Sequence, residues 1–455
     1  MEGAQATGTR PRKGDELELR IDRLAHGGAG VARSEGYVVF VRGAVPGDLV
    51  RARITRSKRS FGEADSIELI EPSPERVEPL APHPGAPWQV LPYERQLAEK
   101  EEQVRDALAR IGRFESPPVE PIVPALEQLR YRNKLEYSFG TDEQSGELVL
   151  GFHRPGRYDL IDDVTLDVLA SERVDELRET VKAWCREQGL SAWDRRGQHG
   201  LLRNLVVREG RRTGQLQARV VTSPGSSFDV DGIAAASPVE SFLWTRAASV
   251  AETTREGDTQ IVKGPAAIEE QLSGLRFRIS PDAFFQTNTE MAERLYGAAV
   301  ELAGLSGREK VLDLFCGIGT IALVLALEAG QVWGVEIVEE AVADAIENAR
   351  LNGIDNAHFF AGDVRLAMRP LLEKSGSADV VVIDPPRPGL SQKVVRRVLE
   401  AEAKKIVYVS CNPTTLAPNA RQMVDAGYEL KTVRPVDMFP QTPHIECVAL
   451  LERDA

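Results

Sequence analysis

Cysteine is scarce in this chain of 455 residues, which contains only four. They are Cys185, Cys316, Cys411 and Cys447, and no cysteine precedes them. A disulfide framework needs cysteines that are dense and spread through a small domain, so these four exclude a disulfide-stabilised secreted fold. We expect free thiols and a cytoplasmic protein.

Long apolar runs are also missing. No run approaches the roughly 18 residues that a membrane helix needs. The N-terminus is polar and basic and lacks the apolar segment of a secretory signal. The sequence therefore predicts no membrane partner.

Positive charge is in deficit overall, with a net charge of −13, which excludes a general electrostatic affinity for nucleic acid. Residues 1–62 are the exception, with 12 Lys or Arg against 7 Asp or Glu. A basic lobe on an acidic body suits a targeted RNA contact. A basic surface without any partner is the alternative.

The length exceeds one ordinary core, and the pattern predicts several segments. Residues 1–12 form a polar, disordered tail. Short alternating strands with Gly and Pro turns over 13–70 predict an OB-like β-barrel. Residues 71–275 are predicted to form a mixed α/β central domain, which opens with a proline-rich linker (72–92) and a charged helix (93–112).

The last segment, 276–455, alternates short apolar strands with helices. This alternation predicts an α/β fold with a doubly wound, Rossmann-like parallel sheet. Two of its helices are predicted over 320–329 and 339–352. The final strand, 447–451, follows a loop and not a helix, so it is predicted to enter the sheet antiparallel.

Basic and aromatic residues alternate over 130–134 (Arg-Tyr-Arg-Asn-Lys), just before a predicted strand. Such a segment can hold phosphate and stack a base. A solvated strand end has the same composition, and the residues alone leave both interpretations open.

A glycine-rich turn follows the strand that ends at Phe315. Residues 313–320 are Asp-Leu-Phe-Cys-Gly-Ile-Gly-Thr, and Glu336 ends the next strand 17 residues after Gly319. Ligands of open parallel sheets lie outside the carboxyl ends of the strands, and an acidic residue at this spacing accepts hydrogen bonds from ribose hydroxyls. Asp363, after the third strand, is predicted to lie near the adenine of the ligand.

The thiol of Cys411 also lies at a strand end, in 410–413 (Ser-Cys-Asn-Pro). Cys316, inside the glycine-rich loop, and Cys447, in an apolar run, are predicted to serve packing. A buried, inert thiol is the alternative for Cys411 itself. A further strand ends in 384–387 (Asp-Pro-Pro-Arg), a pattern shared with many nitrogen-methylating enzymes.

Three resemblances follow from these motifs. Residues 25–32 and 43–48 resemble the TRAM domain, an OB-like RNA-binding barrel. The loop at 313–320 with Glu336 and Asp363 resembles the class I methyltransferase fold, whose ligand is S-adenosylmethionine. Four motifs together resemble the RNA uracil-5-methyltransferase family, over nearly the whole chain: 284–288 (Phe-Phe-Gln-x-Asn), 384–389 (Asp-Pro-Pro-Arg-x-Gly), 410–413, and 438–446 (Met-Phe-Pro-x-Thr-x-His-x-Glu).

The resemblance implies a thiolate that adds to carbon 6 of uracil, so that carbon 5 accepts the methyl group. Cys411 is then the nucleophile, and Glu446 the base that takes the proton from carbon 5. The remaining implied residues line the cofactor and the target base: Gln286, Phe315, Thr320, Glu336, Asp363 and Asp384. Thr320 stands where many members carry Asn.

One departure concerns metal. Many relatives hold an iron–sulfur cluster on four cysteines, three of them just before a Trp-Gln pair. Here that stretch is 80–89, ending at Trp88 and Gln89, and it contains no cysteine. Four thiolates cannot be assembled, so we expect no cluster and no other metal.

Two other functions stay open at this point. An RNA cytosine C5-methyltransferase commonly uses a second cysteine for product release, and 384–386 offers none. A non-catalytic RNA-binding protein on the same scaffold would not need Cys411 and Glu446. The resemblance favours rRNA over tRNA as the partner, and a monomer is the default state.

Overall fold

The computed structural model of the chain describes residues 10–225, 227–249, 254 and 257–453. Most of the predicted tail, 1–9, lies outside this range. Arg10 donates hydrogen bonds to Oγ and the carbonyl oxygen of Ser57, at 2.8 and 2.6 Å, and the Ser57 hydroxyl donates to Pro11. These contacts hold Arg10 and Pro11, which belong to the predicted tail, against Ser57.

The first sheet has six strands in the order β1-β5-β6-β4-β3-β2. Its members are β1 (Glu16–Arg20), β2 (Arg23–Leu24), β3 (Gly30–Ser34), β4 (Tyr37–Arg42), β5 (Leu49–Ser57) and β6 (Phe61–Glu71). Only β4 and β6 pair in parallel. The edge strands β1 and β2 follow each other directly in the chain, so one short segment joins the two edges.

Arginines of this sheet are largely paired across the strands. The ion pairs are Arg20–Glu71, Arg42–Asp65, Arg51–Glu68, Arg53–Glu16 and Arg56–Glu63. Four of the acidic partners lie in β6, beyond residue 62. Extending the count to residue 71 gives 12 basic against 11 acidic residues, so the predicted basic lobe is nearly neutral once the sheet is complete.

The predicted charged helix is present as α1 (Tyr93–Asp106). A 3₁₀ turn at Pro87–Val90 precedes it, and a π-helical turn (Ala107–Ile111) continues it. Its buried face is mostly polar. The buried residues of α1 are Gln96, Glu99, Lys100, Gln103 and Val104. Gln96, Glu99 and Lys100 have hydrogen-bond partners in other parts of the chain, so α1 packs against polar groups as well as apolar core.

The central sheet has seven strands in the order β13-β12-β11-β10-β7-β8-β9, and only β11 and β12 pair in parallel. Its elements are β7 (Lys134–Thr141), β8 (Leu148–His153), β9 (Ile161–Asp163), α2 (Glu172–Glu187), β10 (Leu202–Glu209), β11 (Leu216–Thr222), α3 (Val230–Ala236), β12 (Ser241–Arg246) and β13 (Asp258–Lys263). The apolar side of α2, with Val174, Leu177 and Val181, packs on this sheet.

A hairpin of β14 (Ile268–Leu272) and β15 (Leu275–Ile279) follows, then α4 (Thr289–Ala303). Phe277 and Leu295 are buried in the same core as the C-terminal strands. The boundary predicted between 275 and 276 falls within β15, so both strands pack with the C-terminal part of the chain.

The C-terminal sheet confirms the doubly wound prediction, with the order β18-β17-β16-β19-β20-β22-β21. Its elements are β16 (Lys310–Leu314), α5 (Thr320–Ala326), β17 (Gln331–Glu336), α6 (Glu339–Leu351), β18 (Ala357–Ala361), α7 (Val364–Ser375), β19 (Val380–Ile383), α8 (Gln392–Glu400), β20 (Lys405–Ser410), α9 (Pro413–Asp425), β21 (Glu429–Val436) and β22 (Glu446–Glu452). The first five strands in this order are parallel. Strand β22 is antiparallel to both neighbours, as predicted.

Within the described residues, no helix has the length and apolar character required to cross a membrane. The same part of the chain holds no group of three or more His, Cys, Asp or Glu side chains arranged for a metal ion.

A buried hydrogen-bond network centres on Asp167 in the stretch before α2. His83 Nδ1 accepts from Gly85, so its Nε2 carries the proton and donates to Asp167 Oδ1 at 3.0 Å. The Tyr137 hydroxyl donates to Oδ2 at 2.7 Å. Burial alone would raise the pKa of Asp167, but the bonds from His83 and Tyr137 outweigh it and lower the pKa overall. The network ties the proline-rich segment to the central sheet.

We expect Asp167→Ala to lower the free energy of unfolding by about 3 kcal/mol, because His83 and Tyr137 lose a buried acceptor. Since folding depresses the pKa of Asp167, its contribution is complete above the unfolded pKa of about 4 and is lost as the pH falls below it. Urea denaturation at several pH values measures both effects. Asp231→Asn, at an exposed carboxylate of α3, is the control; equal losses in the two variants would contradict this role.

Candidate active site

Loops at the carboxyl edge of the C-terminal sheet bring most of the predicted site residues together. Backbone amides tie each loop to the neighbouring strand: Phe315 to Val335 (2.9 Å), Gly362 to Glu336 (2.7 Å) and Asp384 to Leu314 (3.2 Å). Because these strands are parallel, their loops open on the same side.

The glycine-rich loop between β16 and α5 is held in a constrained backbone conformation. Phe315 has φ 67° and Gly319 has φ 84°, both in the left-handed region. A Cβ at Gly319 would meet the ring of Phe359 at 3.1 Å, so glycine is required there. Glu336 accepts a hydrogen bond from the Gly317 amide at 3.2 Å and fixes the loop from β17. Strain of this kind is typical of a ligand loop.

A cleft of about 250 Å³ lies beside this loop. Two of the predicted cofactor residues, Phe315 and Asp363, line it together with Ile337, Pro386 and Leu390. Asp363 is the N-cap of α7, and the guanidinium of Arg365 lowers the pKa of its carboxyl. The cleft is mainly apolar with a carboxylate at its rim, which suits a nucleoside.

Thr320 and Gln286 lie elsewhere around the loop. The Thr320 hydroxyl, at the start of α5, is 3.3 Å from the hydroxyl of buried Tyr296. Gln286 is buried on the segment before α4, and its backbone carbonyl accepts a hydrogen bond from the Asn133 side chain at 2.8 Å. Neither residue lines the cleft.

Asp313, the first residue of the motif but absent from the predicted site, has the most unusual surroundings. Its side chain is fully buried near the end of β16, and within the described residues the Ala322 backbone amide is the only donor that acts on its carboxyl, without a hydrogen bond of standard geometry to either oxygen. Burial, followed by the nearby Asp384 and Glu336 carboxyls, raises its pKa well above the ordinary value. A charged residue inside an apolar strand was the signal in the sequence. A buried carboxyl with so few partners needs an explanation, and a role in ligand binding is one that can be tested.

The register of β20 and β22 brings the predicted nucleophile and base together. Ser410 is opposite Cys447 in the ladder, and one more step in the same register brings Cys411 opposite Glu446. Among the four cysteines only Cys411 is partly exposed. Burial and the carboxyls of Glu446 and Asp384 raise the pKa of its thiol to about 11, while Arg387 acts in the opposite direction. The thiol is therefore protonated at neutral pH and must lose its proton when it reacts.

Two further carboxyls complete this buried corner. Burial raises the pKa of Asp384 to about 7. Burial, and then Asp384, raises the pKa of Glu446 well above its ordinary value. A raised pKa makes the carboxylate a stronger proton acceptor than an exposed Glu, which is what a general base requires.

The segment that leads to Glu446 is braced by the polar face of α1, which the sequence did not indicate. Lys100 and Asp437, both fully buried, form an ion pair at 2.6 Å, and Lys100 also donates to the Phe439 carbonyl at 3.0 Å. The Tyr93 hydroxyl donates to the other Asp437 oxygen at 2.8 Å. Asn288 donates to the Met438 carbonyl. Residues 150 to 344 positions apart in the chain thus hold the loop in place.

Next to this loop lies a surface that we call the cationic mouth, formed by Arg132, Arg387, His26 and the exposed His444. The side chain of His444 is partly open to solvent, but desolvation by the surrounding protein, and then the positive charges of Arg387 and Arg132, lower its pKa to about 4. The ring is therefore neutral, and the arginines supply the positive charge. The Arg132 guanidinium lies 5.9 Å from the ring centroid of Phe439. Nε of Arg132 and Nδ1 of His26 are buried without hydrogen-bond partners. Of the charged groups in the described ranges, none forms an ion pair with Arg132 or Arg387, so the mouth has positive charge to offer a ligand.

Comparison with known families agrees with this geometry. The family model of tRNA (uracil-5-)-methyltransferases matches residues 250–454. The model of the TRAM domain matches residues 10–67.

Similar proteins cover nearly the whole chain. An uncharacterised RNA methyltransferase of Halalkalibacterium halodurans is 39% identical over 97% of each chain. Another, from Gloeobacter violaceus, is 40% identical, also over 97% of each. The crystal structure of Pyrococcus abyssi tRNA (uracil-54, C5)-methyltransferase with S-adenosyl-L-homocysteine is 30% identical, with a TM-score of 0.79 over 95% of this chain and 99% of that one.

The chain belongs to the RNA uracil-5-methyltransferase family. Enzymes of this family depend on S-adenosylmethionine, and the site fits that cofactor. The unsatisfied Asp313 carboxyl suits a ligand that carries positive charge, and the cleft beside Asp363 suits its nucleoside. S-adenosylmethionine, which supplies the methyl group when bound, has both features.

We expect Asp313→Asn to weaken S-adenosylmethionine binding about 10- to 100-fold, the value of a hydrogen bond to a charged group. In the free protein the raised pKa favours a protonated Asp313, and a cation binds best to the carboxylate. The wild-type affinity should therefore rise with pH, and the variant should lose that dependence. Titration calorimetry at pH 6 to 9 measures both. Asp379→Asn, at the opposite edge of the sheet, is the control, and equal behaviour of the two variants would exclude Asp313 from cofactor binding.

Proposed function

We propose that this enzyme methylates carbon 5 of one uridine in a structured RNA through a covalent adduct with Cys411. The observation that supports this most is that Cys411 and Glu446 adjoin the last pair of the β20–β22 ladder, Ser410 and Cys447, and that the Glu446 carboxyl acts on the Cys411 thiol. Phe315, Thr320, Glu336, Asp363, Asp384 and Gln286 are proposed to line the cofactor and the target base.

In the proposed reaction, the two residues act as follows. The thiol proton of Cys411 passes to solvent as its sulfur bonds to carbon 6, and the electrons of the carbon 5–carbon 6 double bond shift to form an enolate. Carbon 5 then takes the methyl group that the bound sulfonium cofactor would supply, which would leave the cofactor as a neutral thioether. Glu446 then accepts the proton from carbon 5, and the sulfur–carbon bond breaks to release Cys411. The target base must leave its stack to reach a thiol at the sheet edge.

The cytosine alternative receives less support. The loop after β19 offers Asp384-Pro385-Pro386 and no second thiol. Cys316 and Cys447 are both buried, and burial raises the pKa of each thiol. Neither is available to release a product.

RNA binding is proposed to use all three parts of the chain, with 13–70 as an OB-like barrel, 71–275 as the central domain and 276–455 as the catalytic domain. The cationic mouth supports this division, because His26, Arg132 and His444 come from different parts. Phosphates that flank the target uridine would supply the negative charge that Arg132 and Arg387 lack as partners in the described chain.

The RNA class is a separate question. Our sequence-based preference for rRNA rested on the TRAM-like lobe. The Pyrococcus abyssi enzyme, which is similar over nearly its whole length, is a tRNA methyltransferase. The lobe therefore does not separate the two classes, and the preference for rRNA stays a prediction, as do the monomeric state and the cytoplasmic location.

We expect Cys411→Ala to abolish methyl transfer while RNA binding persists. Glu446→Gln should accumulate a covalent protein–RNA adduct, because the carbon 5 proton has no acceptor. Denaturing gel electrophoresis with labelled RNA detects the adduct. Cys185→Ala removes a buried thiol of the central domain and should retain activity. Normal turnover by Cys411→Ala would contradict the covalent mechanism.

Transfer of labelled methyl groups to unmodified tRNA and rRNA, followed by nucleoside analysis, identifies the substrate. We expect label in 5-methyluridine from one of the two classes. Label in 5-methylcytidine would replace the proposal with the cytosine alternative, and label in both classes would contradict a single target uridine.

A further inference from the structure

We propose that the groove between α7 and α8 is a second binding surface for the phosphodiester backbone of the substrate RNA, remote from the target base. The groove has a volume of about 550 Å³. It is lined by Arg365, Leu366, Arg369, Lys393, Arg396, Arg397 and Glu400. The inference rests on the proposed RNA substrate.

The charge balance of the groove is the first argument. Five of its seven side chains are cationic and one is anionic, on a protein whose net charge is −13. Glu400 receives hydrogen bonds from both Arg369 and Arg397, so one carboxylate is shared between two guanidinium groups. Lys393 and Arg396 are exposed, and neither forms an ion pair within the ranges that the structure covers. An excess of positive charge therefore faces solvent.

The direction of the groove is the second argument. Both helices begin at the carboxyl edge of the sheet, where the reaction takes place. Arg365 and Lys393 lie in the first turns of α7 and α8, and Arg369 and Arg396 lie about one turn further from that edge. Arg365 also lines the cofactor cleft. The groove thus starts at the reaction edge and leads away from it, and the positive ends of both helix dipoles face that edge.

Along the strands of the first sheet, the arginines are mostly paired with the carboxylates of β6, so they have less to offer a polyanion. The cations of that part without an ion pair in the described chain include Arg10, Arg12 and Lys13 at its start. An RNA held only at the mouth would gain few phosphate contacts, although phosphate contacts dominate the affinity of proteins for nucleic acids. Leu366, with 75% of its surface exposed, adds an apolar contact for a ribose in the same groove.

The test removes two unpaired cations with Lys393→Ala and Arg396→Ala together. Binding of unmodified tRNA and rRNA transcripts is measured without cofactor, by filter binding over a range of salt concentrations. We expect the affinity to fall at least tenfold at low salt. The slope of log affinity against log salt should shrink by about 1.4 to 1.8, the value for two phosphate contacts.

A matched control removes two exposed cations at the opposite edge of the sheet, with Arg308→Ala and Lys404→Ala. It should leave both quantities unchanged, and the groove variant should keep the wild-type affinity for S-adenosylmethionine. If the two double variants bound RNA with the same affinity and the same salt slope, the proposal would be overturned. That result is also the one expected if the groove binds an acidic protein and not RNA. Because binding is measured without turnover, this outcome is distinct from a failure to form 5-methyluridine.

Discussion

The antiparallel entry of β22 is the constraint on which the proposed chemistry depends. In a parallel sheet every strand begins at the amino edge, far from the ligand loops. Strand β22 runs the other way, so its first residue, Glu446, lies at the carboxyl edge beside the end of β20. A parallel last strand would leave Cys411 without a carboxylate opposite it. The topology thus brings an acid and a thiol together that are 35 positions apart in the chain.

This arrangement buries several carboxyls close to one another, which is unfavourable unless the surrounding structure is rigid. The ion pair of Lys100 with Asp437, supported by Tyr93, supplies that rigidity from α1. Such a pair contributes little net stability but fixes one arrangement of the loop, because either charge alone would be costly to bury. The same burial raises the pKa values of Asp313, Asp384 and Glu446, and at Glu446 this is the property that the proposed proton transfer requires.

Charge is distributed by a similar principle. Where the first sheet is complete, its arginines are paired with carboxylates across the strands and serve the fold. Arg132 and Arg387 at the mouth, with Lys393 and Arg396 between α7 and α8, lack such partners within the described chain. Local charge counts along the sequence do not distinguish the two situations, since an ion pair joins residues that are distant in the chain.

The sequence by itself determined the local order of the catalytic part. Apolar runs followed by Gly, Asp-Pro or Cys-Asn-Pro predicted the strands and their carboxyl ends, and with them Phe315, Glu336, Asp363, Asp384 and Cys411. These signals are local, because strand periodicity and turn chemistry depend on neighbouring residues. The TRAM-like strands and the antiparallel last strand followed in the same way.

Only the tertiary structure decided what depends on contacts between distant residues. The sequence did not predict that the polar face of α1 stabilises the loop before Glu446, because Asp437 and Gln441 lie over 300 positions from their partners on α1. Asp313 was visible as a charged residue in an apolar strand, but its lack of partners follows from the packing around it. The basic lobe lost its excess charge when β6 paired with β5, and the α7–α8 groove gained its own when two helices came together. Burial and pairing set these properties, and both arise only when the chain is folded.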